Sequence, residues 1–189
     1  MISPLLANLY LHPLDQMMRD RGAHIVRYAD DFVILCRTQH QAETALAAVE
    51  QWTTANGLTL HPDKTHVGDS SQPGQGFEFL GYRFEAGNRT VRRKSLMALR
   101  DRIRQRARRT KGASVEMAIA ELNPILRGWF NYFKHAHRNT FGSIDGFVRR
   151  RLRSIRRHQI KRKGGTGRSL NDHVRWPNAY FTELGLFTM

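Results

Sequence analysis

Apolar residues in this 189-residue chain recur with a helical period at the start, with a period near two after residue 23, and with a helical period again through the second half. Ser3 followed by Pro4 predicts a helix start, a hydroxyl at the N-cap and a proline at the first helical position. Leu5, Leu6, Leu9, Leu14, Met17 and Met18 then follow at helical spacing until Gly22, with Pro13 predicting a kink or restart. The runs "AHIVRYA" and "FVILCR" are rich in strand formers and flank Asp30 and Asp31, which predicts a hairpin with both aspartates at its tip. Thr38 with Gln41 three residues on resembles a capping box, and Ala42, Ala45, Leu46 and Val49 form the stripe of a helix that stops at Asn56 and Gly57. "LTLHPDKT" predicts a short strand and turn. After the polar loop "DSSQPGQG", Phe77, Phe79, Leu80, Tyr82 and Phe84 predict alternation with a bulge near Gly81, and Gly87 with Asn88 predicts a hairpin into "RTVRR".

From Lys94 onward the pattern is helical. Leu96, Leu99, Ile103 and Ala107 make one face of a helix that Gly112 is expected to end. Ser114 is expected to cap a short helix carrying Val115, Ala118, Ile119 and Leu122. Asn123 is expected to cap a second, with Pro124 at its first position and Ile125, Leu126, Trp129, Phe130 and Phe133 as its stripe. Ser143 is expected to cap the last, which turns Ile144, Phe147, Val148, Leu152 and Ile155 inward. The fold class is therefore α+β, an antiparallel sheet with helices on one face over residues 1–91, followed by a helical bundle over 92–189.

Charge sharpens this division. The net charge is +15, yet residues 1–91 hold 7 basic and 10 acidic residues, net −3, while residues 92–189 hold 24 and 6, net +18. A basic half of this kind suits a polyanion, because Lys and Arg side chains displace counterions condensed on phosphates. The alternatives are a solvated basic face and a membrane surface. No run approaches the roughly 18 apolar residues of a membrane span, and the N-terminus lacks a basic leader and cleavage site, so a cytoplasmic setting without membrane contact is expected. The single Cys36 excludes an internal disulfide and a cysteine-rich zinc site, and His135 and His137, two apart, do not share a helix face. The glycine-rich "KGGTGR" has neither a preceding strand nor a lysine in the register of a phosphate-binding loop.

Two adjacent carboxylates raise each other's cost of ionising unless a cation is present. Asp30 and Asp31 on a tight turn suit Mg²⁺, a hard ion that takes oxygen ligands and keeps positions open for phosphate. The plain alternative is that both are ordinary turn formers in a solvated hairpin.

The surrounding residues carry a resemblance. "YADD", Tyr28 to Asp31, resembles the active-site hairpin of reverse transcriptases, and "SPLLANLYLHPLD" resembles the helix before it in the bacterial group II intron type. "GLTLHPDKT", "FEFLGYRF", "LNPILRGWFNYF" and "WPNAYFTELGLF" are similar, in order, to later palm, primer-hairpin, maturase and C-terminal stretches of that family. The resemblance implies the end of a reverse-transcriptase palm followed by a maturase or thumb domain. It implies RNA-directed DNA polymerisation, with Asp30 and Asp31 catalytic and holding Mg²⁺, Tyr28 and Ala29 under the primer end, and Ser3 and Pro4 near the incoming nucleotide and template. By the same resemblance Lys64 would take the position of a palm lysine, and Gly81 would hold the primer. The implied partners are structured intron RNA, an RNA/DNA template-primer and deoxynucleotide triphosphates.

The family's metal site also takes an aspartate from an earlier palm strand, and fingers precede it. This chain starts inside the next motif, so alone it is expected not to polymerise. A fragment, a half needing an N-terminal fingers/palm partner chain, and a degenerate copy all satisfy that expectation. The rival function is an RNA-binding splicing factor without catalysis, or a relict. No Cys and His nuclease cluster follows the bundle, so target-strand cleavage is not expected.

In the basic half the expected RNA contacts are Arg100, Arg104, Arg108 and Arg127, with Tyr132 as a stacking platform and Lys134 beside it. On the last long helix they are Arg149, Arg150, Arg153, Arg156 and Arg157. Trp129, Phe130 and Phe133 are expected in the core.

Overall fold

The computed structural model describes residues 3–161 and 169–189. It comprises two compact units, Met1–Gly87 and Asn88–Met189, each with its own apolar core. The glycine-rich stretch at 163–168 lies outside the described residues.

The first unit begins with α1 (Ser3–Asp20), which runs through Pro13 without a break. The carbonyl that Pro13 leaves without an amide partner belongs to Leu9, on the exposed side of the helix, where water can satisfy it. Only the second half of the apolar stripe reaches the core. Leu14 and Met18 are buried and Leu11 and Met17 pack beside them, whereas Leu5, Leu6 and Leu9 are exposed. Gly22, at φ 73°, closes α1 because the cap needs a left-handed residue; its N–H donates to Arg19 O and that of Ala23 to Met18 O.

Strands β1 (His24–Tyr28) and β2 (Asp31–Leu35) pair antiparallel, Ile25 opposite Ile34, Arg27 opposite Phe32 and Tyr28 opposite Asp31. Ile25, Phe32 and Ile34 pack into the helix-facing core, so strand alternation assigns Arg27 to that face and Tyr28 and Asp31 to the other. Helix α2 (Gln39–Ala55) starts as its sequence predicts: Thr38 Oγ1 accepts from Gln41 N at 3.2 Å, and Gln41 Oε1 accepts from Arg37 N at 3.0 Å. Ala45 and Val49 complete the core with Leu14 and Met18.

The strand expected within "LTLHPDKT" does not form. Leu58 N is held by Thr53 O at 2.8 Å as part of the helix cap, Pro62 has no N–H for a ladder, and a turn follows in which Lys64 N donates to His61 O. The bulge expected near Gly81 is instead a hairpin turn. Strands β3 (Phe77–Phe79) and β4 (Tyr82–Glu85) pair across Leu80 and Gly81, both at positive φ (49° and 81°), the twist that two-residue hairpins favour.

The second unit begins with β5 (Asn88–Val91) and α3 (Arg93–Arg106). That helix stops ahead of Gly112, its last apolar contact being the buried Ala107. Ser114 accepts from Met117 N and starts α4 (Val115–Phe133), one helix through Pro124 where two were expected. Asn123 caps nothing. Its side chain donates to Gly185 O and accepts from Phe187 N, fastening the chain's last residues to α4. Helix α5 (Asn139–Gln159) begins before Ser143, which lies inside it. Helices α6 (Leu170–Arg175) and α7 (Asn178–Glu183) bring Trp176 and Phe181 onto the core of Leu99, Ile103, Leu122, Leu126, Ile144, Val148 and Leu152.

Candidate functional site

The hairpin between β1 and β2 leaves only Ala29 and Asp30 outside the strands, so Tyr28 and Asp31 face each other across the turn. Ala29 is at φ 54°, a left-handed conformation that costs an L-residue energy and that clusters at functional turns. Tyr28, Asp30 and Asp31 are exposed. Among the described residues neither aspartate has a salt-bridge partner. Among those residues, too, no group of three or more His, Cys, Asp or Glu is arranged to hold a metal ion. Two exposed carboxylates fit Mg²⁺ as part of a shell completed by water and phosphate, since this ion is commonly held by only one or two protein carboxylates.

Behind the tip lies a cluster absent from the sequence expectations. The Arg27 guanidinium is bidentate to Asp15, Nε to Oδ1 at 2.8 Å and Nη2 to Oδ2 at 2.5 Å. Its Nη1 donates to Asn8 Oδ1 at 3.0 Å and to the Ala29 carbonyl at 2.8 Å. The Arg27 bond holds the Asp15 carboxyl below the usual carboxylate range, and Asp15 in turn raises Arg27. The signal was legible. Arg27 shares the helix-facing register with Ile25, where a cation needs an anion, and Asn8 and Asp15 stand seven apart on one face of α1.

The other expected residues of this unit are spread along it. Ser3 and Pro4 open α1, Lys64 is exposed in the turn after His61, and Gly81 lies in the β3–β4 turn. Among the described residues neither Lys64 nor Gly81 bonds to Asp30 or Asp31.

In the second unit the expected RNA contacts separate by environment. Arg104, Arg108, Arg127, Tyr132 and Lys134 are exposed. Arg100, Arg104 and Arg150 converge on one phenyl ring, 5.9, 5.5 and 5.1 Å from the centre of Phe147. Arg151, partly buried with its guanidinium donating to Ala107 O, is pushed down by burial first and by the nearby cations Arg104 and Arg109 second.

Arg153 is a correction. It is 2% exposed, stacked over Phe181, with Nε donating to Trp176 O and Nη2 to Asn178 Oδ1, so it joins α5 to α7 and presents nothing to RNA. Arg156 and Arg157 are also turned toward internal partners. Arg156 bonds Glu116 at 2.9 Å and the Tyr180 hydroxyl, and Arg157 bonds the buried Asp172 at 2.7 Å. Arg149 lies 3.9 Å from Asp145, a buried carboxyl that burial pushes up and that accepts from Met189 N. All four sit on the helix expected to bind RNA, yet the same positions face internal partners, an arrangement that a helical wheel does not reveal.

The described residues thus pair a hairpin bearing two exposed adjacent aspartates with an arginine-rich helical unit. Residues 1–84 match the reverse transcriptase (RNA-dependent DNA polymerase) family, and residues 96–176 match the group II intron maturase-specific domain. The two matches, in this order along one chain, support a group II intron reverse transcriptase/maturase, C-terminal part. A search of curated proteins found no match.

Proposed function

We propose that the chain serves RNA-directed DNA polymerisation by Mg²⁺-dependent nucleotidyl transfer, and intron RNA binding for splicing. The observation that carries the first part is the exposed Asp30 and Asp31 pair on a two-residue turn inside the reverse-transcriptase match. In this reading a primer 3′-hydroxyl attacks the α-phosphate of a deoxynucleotide triphosphate, forming the new P–O bond as the bond to pyrophosphate breaks. Asp30 and Asp31 hold Mg²⁺, which when bound stabilises charge on the attacking and leaving oxygens. Tyr28 and Ala29 support the primer end, Ser3 and Pro4 lie on the nucleotide side, and Lys64 and Gly81 complete the contacts to substrate and primer.

The second unit grips RNA by its phosphates through Arg100, Arg104, Arg108, Arg127, Arg150 and Lys134, with Tyr132 available for stacking. Its net charge favours a second reading, an RNA-binding maturase without catalysis. Primer extension on an RNA template separates the two, run with this chain alone and with a fingers-bearing polypeptide added in trans. Incorporation that needs Mg²⁺ and disappears in Asp30→Ala supports polymerisation. Incorporation unchanged by Asp30→Ala and Asp31→Ala overturns the metal assignment, and RNA binding without incorporation in either mixture favours the maturase reading.

A further inference from the structure

An arginine on the helix-facing side of a strand is an expensive way to fill a core, since an apolar pair of similar volume packs there as well or better. What Arg27 does that no apolar residue can is serve three acceptors at once. Its fork is fixed by both oxygens of Asp15, and its remaining nitrogen is shared between Asn8 and the carbonyl of Ala29. Asn8 and Asp15 belong to one helix; Ala29 is the left-handed residue of the turn that carries Asp30. The guanidinium therefore ties the direction of the turn to the axis of α1.

We infer that Arg27 is a positioning residue for Asp30 and Asp31, holding the Ala29 carbonyl against the Asp15 and Asn8 side chains of α1 so that both carboxylates meet a divalent ion in one geometry. The inference rests on the metal reading of the aspartate pair and adds three residues to it. Asp15, close to the aspartate pair in sequence and acidic, is not a ligand. Its carboxylate is committed to Arg27, and it acts on the tip only through that cation. Nor does lysine substitute, because a single ammonium lacks the planar fork that spans a carboxylate while reaching two further acceptors.

The test reads ion binding without turnover. Mn²⁺ alone is titrated into the chain, and paramagnetic broadening of backbone amides at residues 28–31 is followed beside hydrogen exchange of the same amides. The native chain is expected to broaden at the tip, and Asp30→Ala to abolish that effect. Arg27→Met is expected to weaken Mn²⁺ affinity about tenfold, the low end of what loss of a supporting partner does to a metal site. The same variant is expected to speed exchange at the turn about tenfold, as loss of a charged hydrogen bond does, with α2 unaffected. Arg27→Lys fails to rescue, and Asp15→Asn and Asn8→Ala give the same change in smaller measure. Should Arg27→Met also lose protection in α2, those last two variants decide. No broadening in the native chain, or broadening that survives Asp30→Ala, overturns the metal reading and this inference with it. Broadening of the native tip that Arg27→Met and Asp15→Asn leave unchanged overturns the inference alone.

Discussion

The two units handle like charge in opposite ways. In the first, two aspartates stand next to each other on a strained turn, and the nearby guanidinium of Arg27 bonds instead to Asp15, Asn8 and the turn backbone. In the second, three guanidiniums gather about the Phe147 ring, with Asp101 bonded to Arg104 at 2.5 Å as the carboxylate beside them. Each arrangement concentrates one sign of charge, which a ligand of the other sign would relieve. Such ligands would differ in kind. A two-residue tip has room for a small hard cation, whereas a helix face of spaced arginines suits a chain of phosphates. Where the guanidinium is bonded internally, as in Arg153, Arg156 and Arg157, the side chain builds the fold instead of a surface.

The sharpest way to break this comparison is to remove each charge set separately. Asp30→Ala in a mixture competent for primer extension is expected to lower Mg²⁺-dependent incorporation by roughly a thousandfold, since metal stabilisation of the reacting oxygens supplies several kcal/mol. RNA affinity by fluorescence anisotropy should stay within about twofold, because the tip makes little of the phosphate contact. A parallel loss of RNA affinity would show that the two units do not divide the work.

Arg153→Ala comes next. Removing a buried cation that donates to Trp176 O and Asn178 Oδ1 leaves both acceptors without it, and is expected to cost the second unit about 3 kcal/mol, read as a lower urea midpoint. RNA binding by the fraction still folded is expected to be unchanged; a fall in intrinsic affinity would return Arg153 to the RNA surface. Replacing Arg100, Arg104 and Arg150 together by Gln should do the reverse. Stability should hold while the slope of log affinity against log salt flattens by about 2 to 3, near one for each phosphate that is no longer neutralised. An unchanged slope would place the RNA elsewhere on the unit. Tyr132, 54% exposed, is expected on conversion to Ala to weaken single-stranded RNA binding by about 1 kcal/mol if a base stacks on it.

The smallest effect is a pH dependence confined to the first unit. Arg27 holds the Asp15 carboxyl below its ordinary range, so folding gains from this pair in full above about pH 4, the value of an unfolded aspartate. That gain disappears as pH falls through the depressed folded value. Protection of the turn amides at residues 28–31 should therefore fall more between pH 5 and pH 2 in the native chain than in Asp15→Asn. An equal fall in both would remove the ion pair from the account.

Much of this was readable along the chain because it depends on neighbours in sequence. Thr38 and Ser114 cap the helices they precede, Gly22 and Gly57 end theirs, and alternation about Asp30 and Asp31 makes the hairpin. These features need only backbone geometry and adjacent side chains. Errors arose where a local signal had a competing distant partner. Asn123 and Pro124 look like a helix start, but the stripe from Val115 to Phe133 buries one continuous face, and Asn123 is drawn to the chain's last residues. Leu5, Leu6 and Leu9 have the spacing of a core and lie exposed, because the hairpin and α2 cover only the later half of α1.

Sequence by itself determined the α+β then α order, the polarity of charge between the two halves, and the exposure of a carboxylate pair at a hairpin tip. Tertiary structure alone decided which arginines remain at the surface, which lock helices together, and which one reaches from β1 through Asp15 and Asn8 to the turn. The physical reason is range. Turns, caps and periodicity are set within a few residues by backbone sterics and hydrogen bonding. A guanidinium's role is set by whichever acceptor folding brings within about 3 Å of it.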